Sequence, residues 1–361
     1  MIISAPSRRP ESPERLLSPS LAAALDRLDL RSLRLFAGKM PGERRSKKRG
    51  QSVEFAEHRQ YAEGDDPRFI DWNVLARLDR LFIKLFMQEE DLVLHLVVDA
   101  SASMDTPPDD GAEAVSGGGL SGGSAGASGG AGGGMGLNKK LAACRLAAAL
   151  GYIGLRGQNR VGMTVFGVAG EERPSVMPER RGKSQTRALV SFLLDKAWPA
   201  DGAPMGQRLA ASNDINAALN LVARSRFGKG VIVVLSDFFA EGGDACEPGL
   251  RALGAVAGAA GFDVYCLQVL SPGELEPERL GKTALDALAG DLRLTDVETG
   301  RGAEVTVTAA LIREYKKRLN AYNDTLHNFC ASRGIHHQVV RTDVDPAAFI
   351  AGPLRAAGVV A

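Results

Sequence analysis

Little in the sequence could tie the chain together covalently or carry it through a membrane. Four cysteines, Cys144, Cys246, Cys266 and Cys330, are scattered over 361 residues with no C-x-x-C pair. That excludes a disulfide framework and a zinc site, and predicts buried thiols in a reducing cytoplasm. No apolar run reaches the roughly 18–20 residues that a membrane span needs. The opening "MIISAPSRRPESPERLLSPS" has no long apolar core of the signal-peptide kind. Its Ser and Pro content predicts a disordered lead-in over 1–19. An excess of one charge is also missing, since 44 Lys and Arg face 43 Asp and Glu. A net charge of +1 argues against a globally basic nucleic-acid binder and against an acidic tail protein. The basic run "GERRSKKRG" has no aromatics interleaved with it and reads as a solvated loop.

The common catalytic motifs are absent as well. There is no H-E-x-x-H and no G-x-S-x-G elbow. "GKT" at Gly281 to Thr283 is not a phosphate loop, because the required upstream glycine is Glu276. His336 and His337 open a strand, so their side chains point to opposite faces and make a poor metal pair.

A hydrophobic content of 45% is enough for a real core. Leucines at helical spacing predict a helix over 20–37, ended by Gly38. "RLFIKLFMQEEDLVLHLVVD" predicts two strands joined at an acidic turn, Gln88 to Asp91. Residues 109–136 are nearly all Gly, Ser and Ala, and this composition predicts a disordered loop inside a domain. A flexible chain of about 28 residues spans roughly 30 Å. Beyond it, apolar strands ("RVGMTVFG", "GVIVVLSDFF", "DVYCLQVL", "HHQVVRTD") alternate with helical segments, and "LRLTDVETGRGAEVTV" reads as a hairpin. This alternation predicts an α/β fold with a mostly parallel sheet and helices on both faces.

In such folds ligands sit beyond the carboxyl ends of the strands. "LVLHLVVDASASM" ends a strand in Asp99, Ser101 and Ser103, and "VIVVLSDFF" ends another in Ser236 and Asp237. A helix between them starts at Ser212, Asn213 and Asp214. Hard cations such as Mg²⁺ or Mn²⁺ take several oxygen ligands, and hydroxyls alternating along a turn can converge on one centre. Hydrogen bonding within a polar turn accounts for the same residues without a metal.

This arrangement resembles the von Willebrand factor A domain, whose metal-ion-dependent adhesion site uses D-x-S-x-S, a Thr on a second loop and an Asp on a third. Position by position, the resemblance implies a metal site at Asp99, Ser101, Ser103 and Asp237, with Asn213 in the slot of the usual Thr. The preceding "RGQSVEFAEHRQYAEGDDPRFIDW" is similar to the signature of the domain-of-unknown-function 58 (DUF58) family. In that family a von Willebrand A-like fold follows the signature, and members are associated with MoxR-type AAA+ ATPases.

The resemblance implies a non-enzymatic adaptor that is cytoplasmic and partnered by such an ATPase or its client. An Mg²⁺-dependent phosphoryl-transfer hydrolase built on Asp99 and Asp237 is the rival, although two-metal hydrolysis usually needs more carboxylates. A scaffold with a vestigial site is the third reading. Within the signature, Asp65, Asp66, Arg68, Asp71 and Trp72 are candidates for partner docking. Asp66 as N-cap before Pro67, Trp72 packed on the body, and ion pairs among the acids and arginines are the structural account of the same stretch. The predicted organisation is a lead-in (1–19), the N-terminal helix and signature segment (20–80), and a von Willebrand A-like domain (81–361).

Overall fold

The computed structural model describes residues 9–32, 55–62, 65–86, 92–105, 138–198, 213–225, 229–239, 246–259, 261–277, 291–295, 302–306 and 308–361. The Gly-rich stretch 109–136, the basic run, the "GKT" stretch and Ser212 lie outside them. The chain divides into two compact units, one of residues 1–35 and 93–361 and the other of residues 36–92.

In chain order the helices are α1 (Pro19–Leu25), α2 (Trp72–Leu78), α3 (Lys139–Arg156), α4 (Thr186–Lys196), α5 (Ile215–Arg224), α6 (Glu247–Ala259), α7 (Pro272–Leu275), α8 (Ala309–Ala331) and α9 (Pro346–Phe349). The strands are β1 (Phe55–Gln60), β2 (Phe82–Phe86), β3 (Val93–Asp99), β4 (Arg160–Phe166), β5 (Ser175–Arg181), β6 (Gly230–Ser236), β7 (Phe262–Leu270), β8 (Asp291–Thr295), β9 (Gly302–Thr306) and β10 (Ile335–Arg341).

The large unit is built on a six-stranded sheet of order β10-β7-β6-β3-β4-β5. Every neighbouring pair is parallel except β4 and β5. The strands β3, β6 and β7 are buried along their whole length, as continuous apolar runs require when both faces are covered. Leu94 and Leu96 meet α3 on one face, where the absent side chain of Gly154 allows the approach. A Cβ there would stand 2.8 Å from Val161 and 3.2 Å from Leu94. Val97, one position along and so on the other face, joins a core with Leu219 of α5, Leu250 of α6 and Leu326 of α8. The polar strand β5, an antiparallel edge containing Pro178, falls in a stretch with no apolar alternation to announce it.

Two expectations take a different form. Of the helix predicted over 20–37, residues 20–25 are helical, in α1 (Pro19–Leu25), which is started by the Ser18 side chain accepting from the Leu21 N–H; residues 26–32 are not helical, and 33–37 lie outside the described residues. The chain then extends, and Leu30 forms an antiparallel bridge with Val360. Ser32 donates to the buried Asp263 at 2.6 Å. Leu16, inside the stretch predicted as lead-in, is fully buried. In the second case the two predicted strands are present as β2 and β3, the turn Gln88 to Asp91 lies outside the described residues, and β2 is not a strand of the six-stranded sheet. It pairs antiparallel with β1 in the small unit, with Ile83 opposite Arg59 and Lys84 opposite His58. The hairpin predicted near 292–307 is present as β8 and β9, a separate two-stranded sheet.

Candidate functional site

β3 and β6 are adjacent and parallel, so Asp99 and Ser236-Asp237 arrive at the same edge. Both acids are buried, at 4% and 1% exposure. Burial of a carboxylate is costly unless its oxygens find donors, and all four oxygens do. Asp99 Oδ1 accepts the Ser101 N–H at 2.8 Å, and Oδ2 accepts the Ser236 hydroxyl at 2.5 Å. Asp237 Oδ1 accepts the Phe239 N–H at 3.0 Å, and Oδ2 accepts the Lys139 ammonium at 2.9 Å. Burial, reinforced by the charge of Asp237, pushes the Asp99 carboxyl up to about 6, against the pull of its Ser101 and Ser236 hydrogen bonds. Ser101 and Ser103 lie with their hydroxyls 3.0 Å apart.

Asn213 is held differently from a ligand. Its Oδ1 accepts the Gly167 N–H at 3.3 Å, and its Nδ2 donates to the carbonyls of Val168 (3.4 Å) and Glu171 (3.1 Å). It thus ties the start of α5 to the loop after β4. Gly167 has φ of +82°, and a Cβ on it would stand 2.8 Å from the Ser101 N and 3.1 Å from Asp99 Oδ1. Glycine is required there both for the left-handed backbone and for the close approach. The structure therefore brings Asp99, Ser101, Ser103 and Asp237 to one edge, and joins Asn213 to it only through Gly167.

Sequence reasoning missed Lys139 and Lys140. Both open α3, and each is only 1% exposed. Lys139 Nζ donates to Asp237 and, at 2.6 Å, to Glu274 Oε1. Glu274 Oε2 accepts the Ser271 N–H at 2.8 Å in the capping box that starts α7. Lys140 Nζ donates to Asp105 at 2.6 Å. Burial works against the Lys139 ammonium, but the charges of Asp237 and Glu274 outweigh it and hold its proton above the ordinary lysine range. The available signal was a Lys-Lys pair opening an otherwise apolar helix.

A divalent ion such as Mg²⁺ requires several oxygens converging in near-octahedral geometry. Here the acid oxygens face N–H and O–H donors, the Asn213 carbonyl faces a backbone N–H, and an ammonium already supplies positive charge. Among the described residues no group of three or more His, Cys, Asp or Glu converges in a way that could hold a metal. As arranged, this donor set does not fit a divalent ion.

The docking candidates lie in the small unit, where the acids are held by local contacts. Asp65 pairs bidentately with Arg59 at 2.8 and 2.7 Å and accepts the Ala62 N–H at 2.9 Å. Asp66 caps the short 3₁₀ turn Pro67–Phe69 by accepting the Arg68 N–H. Asp71 caps α2 through the N–H groups of Asn73 and Val74, and its other oxygen meets His58 at 2.8 Å and Lys84 at 3.3 Å. The His58 hydrogen bond, followed by the caps and Lys84, pulls its carboxyl down to about 2 against some desolvation. Arg68 is exposed, and Trp72 is 63% exposed. Trp72 therefore does not pack inward as the structural account of the signature assumed.

All four cysteines are free and buried. Burial pushes Cys144 up to about 12, so it has no thiolate character near neutral pH. Among the described residues no helix is long and apolar enough to cross a membrane.

Uncharacterized proteins of Mycobacterium tuberculosis and Mycobacterium bovis are each 26% identical to this chain over 328 residues, covering 91% of it and 86% of the relative. An uncharacterized protein of Mycobacterium avium is 27% identical over 169 residues, 47% of this chain and 86% of the relative. Among solved structures, an aerotolerance-related membrane protein from Bacteroides fragilis, carrying mutations to serine, aligns with a TM-score of 0.36 at 21% identity, over 73% of this chain and 97% of that one. The model of the family described as "Protein of unknown function DUF58" matches residues 57–111 and 127–325, and the chain belongs to that family.

Proposed function

We propose that this chain is a non-enzymatic interaction protein whose large unit is a von Willebrand factor A-like domain. The observation that carries the non-catalytic half is the commitment of all four Asp99 and Asp237 oxygens to internal donors. Each oxygen already accepts one internal hydrogen bond and both acids are buried, an environment that favours a structural role over that of a base or nucleophile, which must reach substrate. The von Willebrand A-like assignment is supported by the D-x-S-x-S turn at the end of the central strand β3, beside the Ser-Asp end of β6.

In this reading the partner is a MoxR-type AAA+ ATPase or its client, a choice that rests on the family resemblance and not on geometry. The protein works in the cytoplasm, in keeping with four free thiols. Trp72 is the anchor we assign to docking, because a large exposed aromatic makes an effective contact when a partner buries it. The experiment is capture of a purified MoxR-type ATPase from the same genome by the full-length chain, alongside phosphatase and nuclease assays with Mg²⁺ and Mn²⁺. Saturable capture without turnover is the expected result. Turnover abolished by Asp99→Ala would replace this reading with the hydrolase.

A further inference from the structure

We infer that Lys139 is the resident cation of the sheet's carboxyl edge. Its ammonium takes the role that the resemblance gives to a divalent ion, and closes the edge to one. The inference deepens the interaction reading, and rests on it only in concerning the same edge.

Position argues for this first. Lys139 reaches Asp237, on the loop after β6, and Glu274, in α7 just after β7, at 2.9 and 2.6 Å. One ammonium therefore gathers the ends of two neighbouring strands. Its Nζ also stands 5.7 Å from the centre of the Phe239 ring, a cation–π contact that adds to its neutralisation. The acids it meets have their remaining oxygens bonded to backbone N–H groups.

Placement on the helix argues for it second. The first turn of a helix is unfavourable for cations, because the unpaired N–H groups there carry partial positive charge. Two adjacent lysines at that place, each 1% exposed, are not explained by the helix. They are explained by the acids: Lys139 meets Asp237 and Glu274, and Lys140 meets Asp105 in the turn that follows Asp99. Asn138 fixes the start of α3 by accepting the Leu141 N–H, so Lys139 is delivered by a pinned backbone.

The exchange with a metal argues for it third. A divalent ion entering beside Asp237 would have to displace a buried ammonium that has nowhere solvated to go, or sit next to it as a like charge. Asp99, Ser101 and Ser103 would also have to give up their present hydrogen bonds. The edge therefore has a permanent cation in place of an exchangeable one, and contact with a partner does not depend on a metal.

The test is Mn²⁺ titration of the full-length chain by calorimetry and by thermal shift, on wild type, Lys139→Met and Lys139→Met/Asp237→Asn. Wild type is expected to show no saturable site at millimolar Mn²⁺ and no shift with a chelator. Lys139→Met should lower the thermal midpoint by about 5 °C, as expected when one partner of a buried ion pair is removed. The double variant should recover part of that loss, because the buried charge opposite Lys139 is gone. Saturable one-site Mn²⁺ binding by wild type, lost in Asp99→Ala, would overturn the inference. So would a Lys139→Met midpoint equal to wild type. If Lys139→Met does not fold, the wild-type titration still decides. Failed ATPase capture with these titrations as expected would remove the proposed partner and leave the role of Lys139 intact.

Discussion

Asp71 in the small unit accepts from His58, Lys84 and two backbone N–H groups, and its carboxyl is held down at about 2. Asp99 in the large unit is buried next to another acid, and its carboxyl is pushed up to about 6. Both are acids that the sequence singles out, Asp71 in "GDDPRFIDW" and Asp99 at the start of D-x-S-x-S. What separates them is the order of two opposing terms. Around Asp71 the donors outweigh desolvation, so the charged form stabilises the hairpin and helix it joins. Around Asp99 desolvation and Asp237 outweigh the donors, so ionisation costs stability, and a cation is needed nearby. The cation at this edge, Lys139, meets the neighbouring Asp237 and not Asp99 itself. The small unit therefore spends its acids on local folding and leaves Trp72 outward, whereas the large unit draws its acids inward and neutralises them.

The largest test of this contrast concerns the protonation of a buried neighbour in β3. Burial lowers the His95 imidazole from 6.5 to about 4. The unfolded chain takes up that proton from pH 6.5 downward and the folded chain only near 4. The stability it contributes is thus complete above pH 6.5 and lost as pH falls to 4, a change of about 3 kcal/mol. Midpoints measured from pH 8 to pH 4 should fall across that window, and His95→Gln should flatten the fall in part, since His337 is also lowered to about 4. An unchanged acid limb in His95→Gln would mean that the interior of β3 is wetter than described.

A sharper test asks for opposite signs from the same substitution. Asp99→Asn keeps an acceptor for the Ser101 N–H and removes a charge that the site disfavours, so at pH 7 it should stabilise, by about 2 kcal/mol after the altered contact with Ser236. Asp71→Asn keeps the cap but loses the ionic part of its contact with Lys84 and weakens the hydrogen bond to His58, and should lower the midpoint. Chemical denaturation of both variants at pH 7 checks the pair. Shifts of one sign would break the comparison.

The smallest expected effect on stability belongs to Trp72→Ala. An exposed side chain outside the core changes stability by less than about 0.5 kcal/mol. The same variant should weaken capture of the proposed ATPase at least about tenfold, as for an aromatic anchor. A large loss of stability instead would show that Trp72 serves the fold.

Where the sequence was legible, one-dimensional pattern was sufficient. The run ending at Asp99 is wholly buried because it is apolar but for His95, and α8 (Ala309–Ala331) starts at its Thr308 cap. Between Asp26 and Ser32 the predicted helix is replaced by extended chain, where Leu30 pairs with Val360, a contact that no local periodicity encodes. The pairing of β2 with β1, not with the strand that follows it, is likewise a choice of partner among similar strands. β5 escaped notice because an edge strand needs little apolar alternation.

The sequence by itself determined that an α/β sheet would end in Asp99, Ser101, Ser103 and Asp237 at one edge, since strand direction and residue order suffice for that. Only the tertiary structure decided what those oxygens face. Lys139 follows Asp99 by forty positions, and nothing in its surroundings along the chain points at Asp237. The ammonium comes to the acids because α3 packs on the sheet with its first turn at the carboxyl edge, and a buried cation and a buried carboxylate are each stable there only with the other.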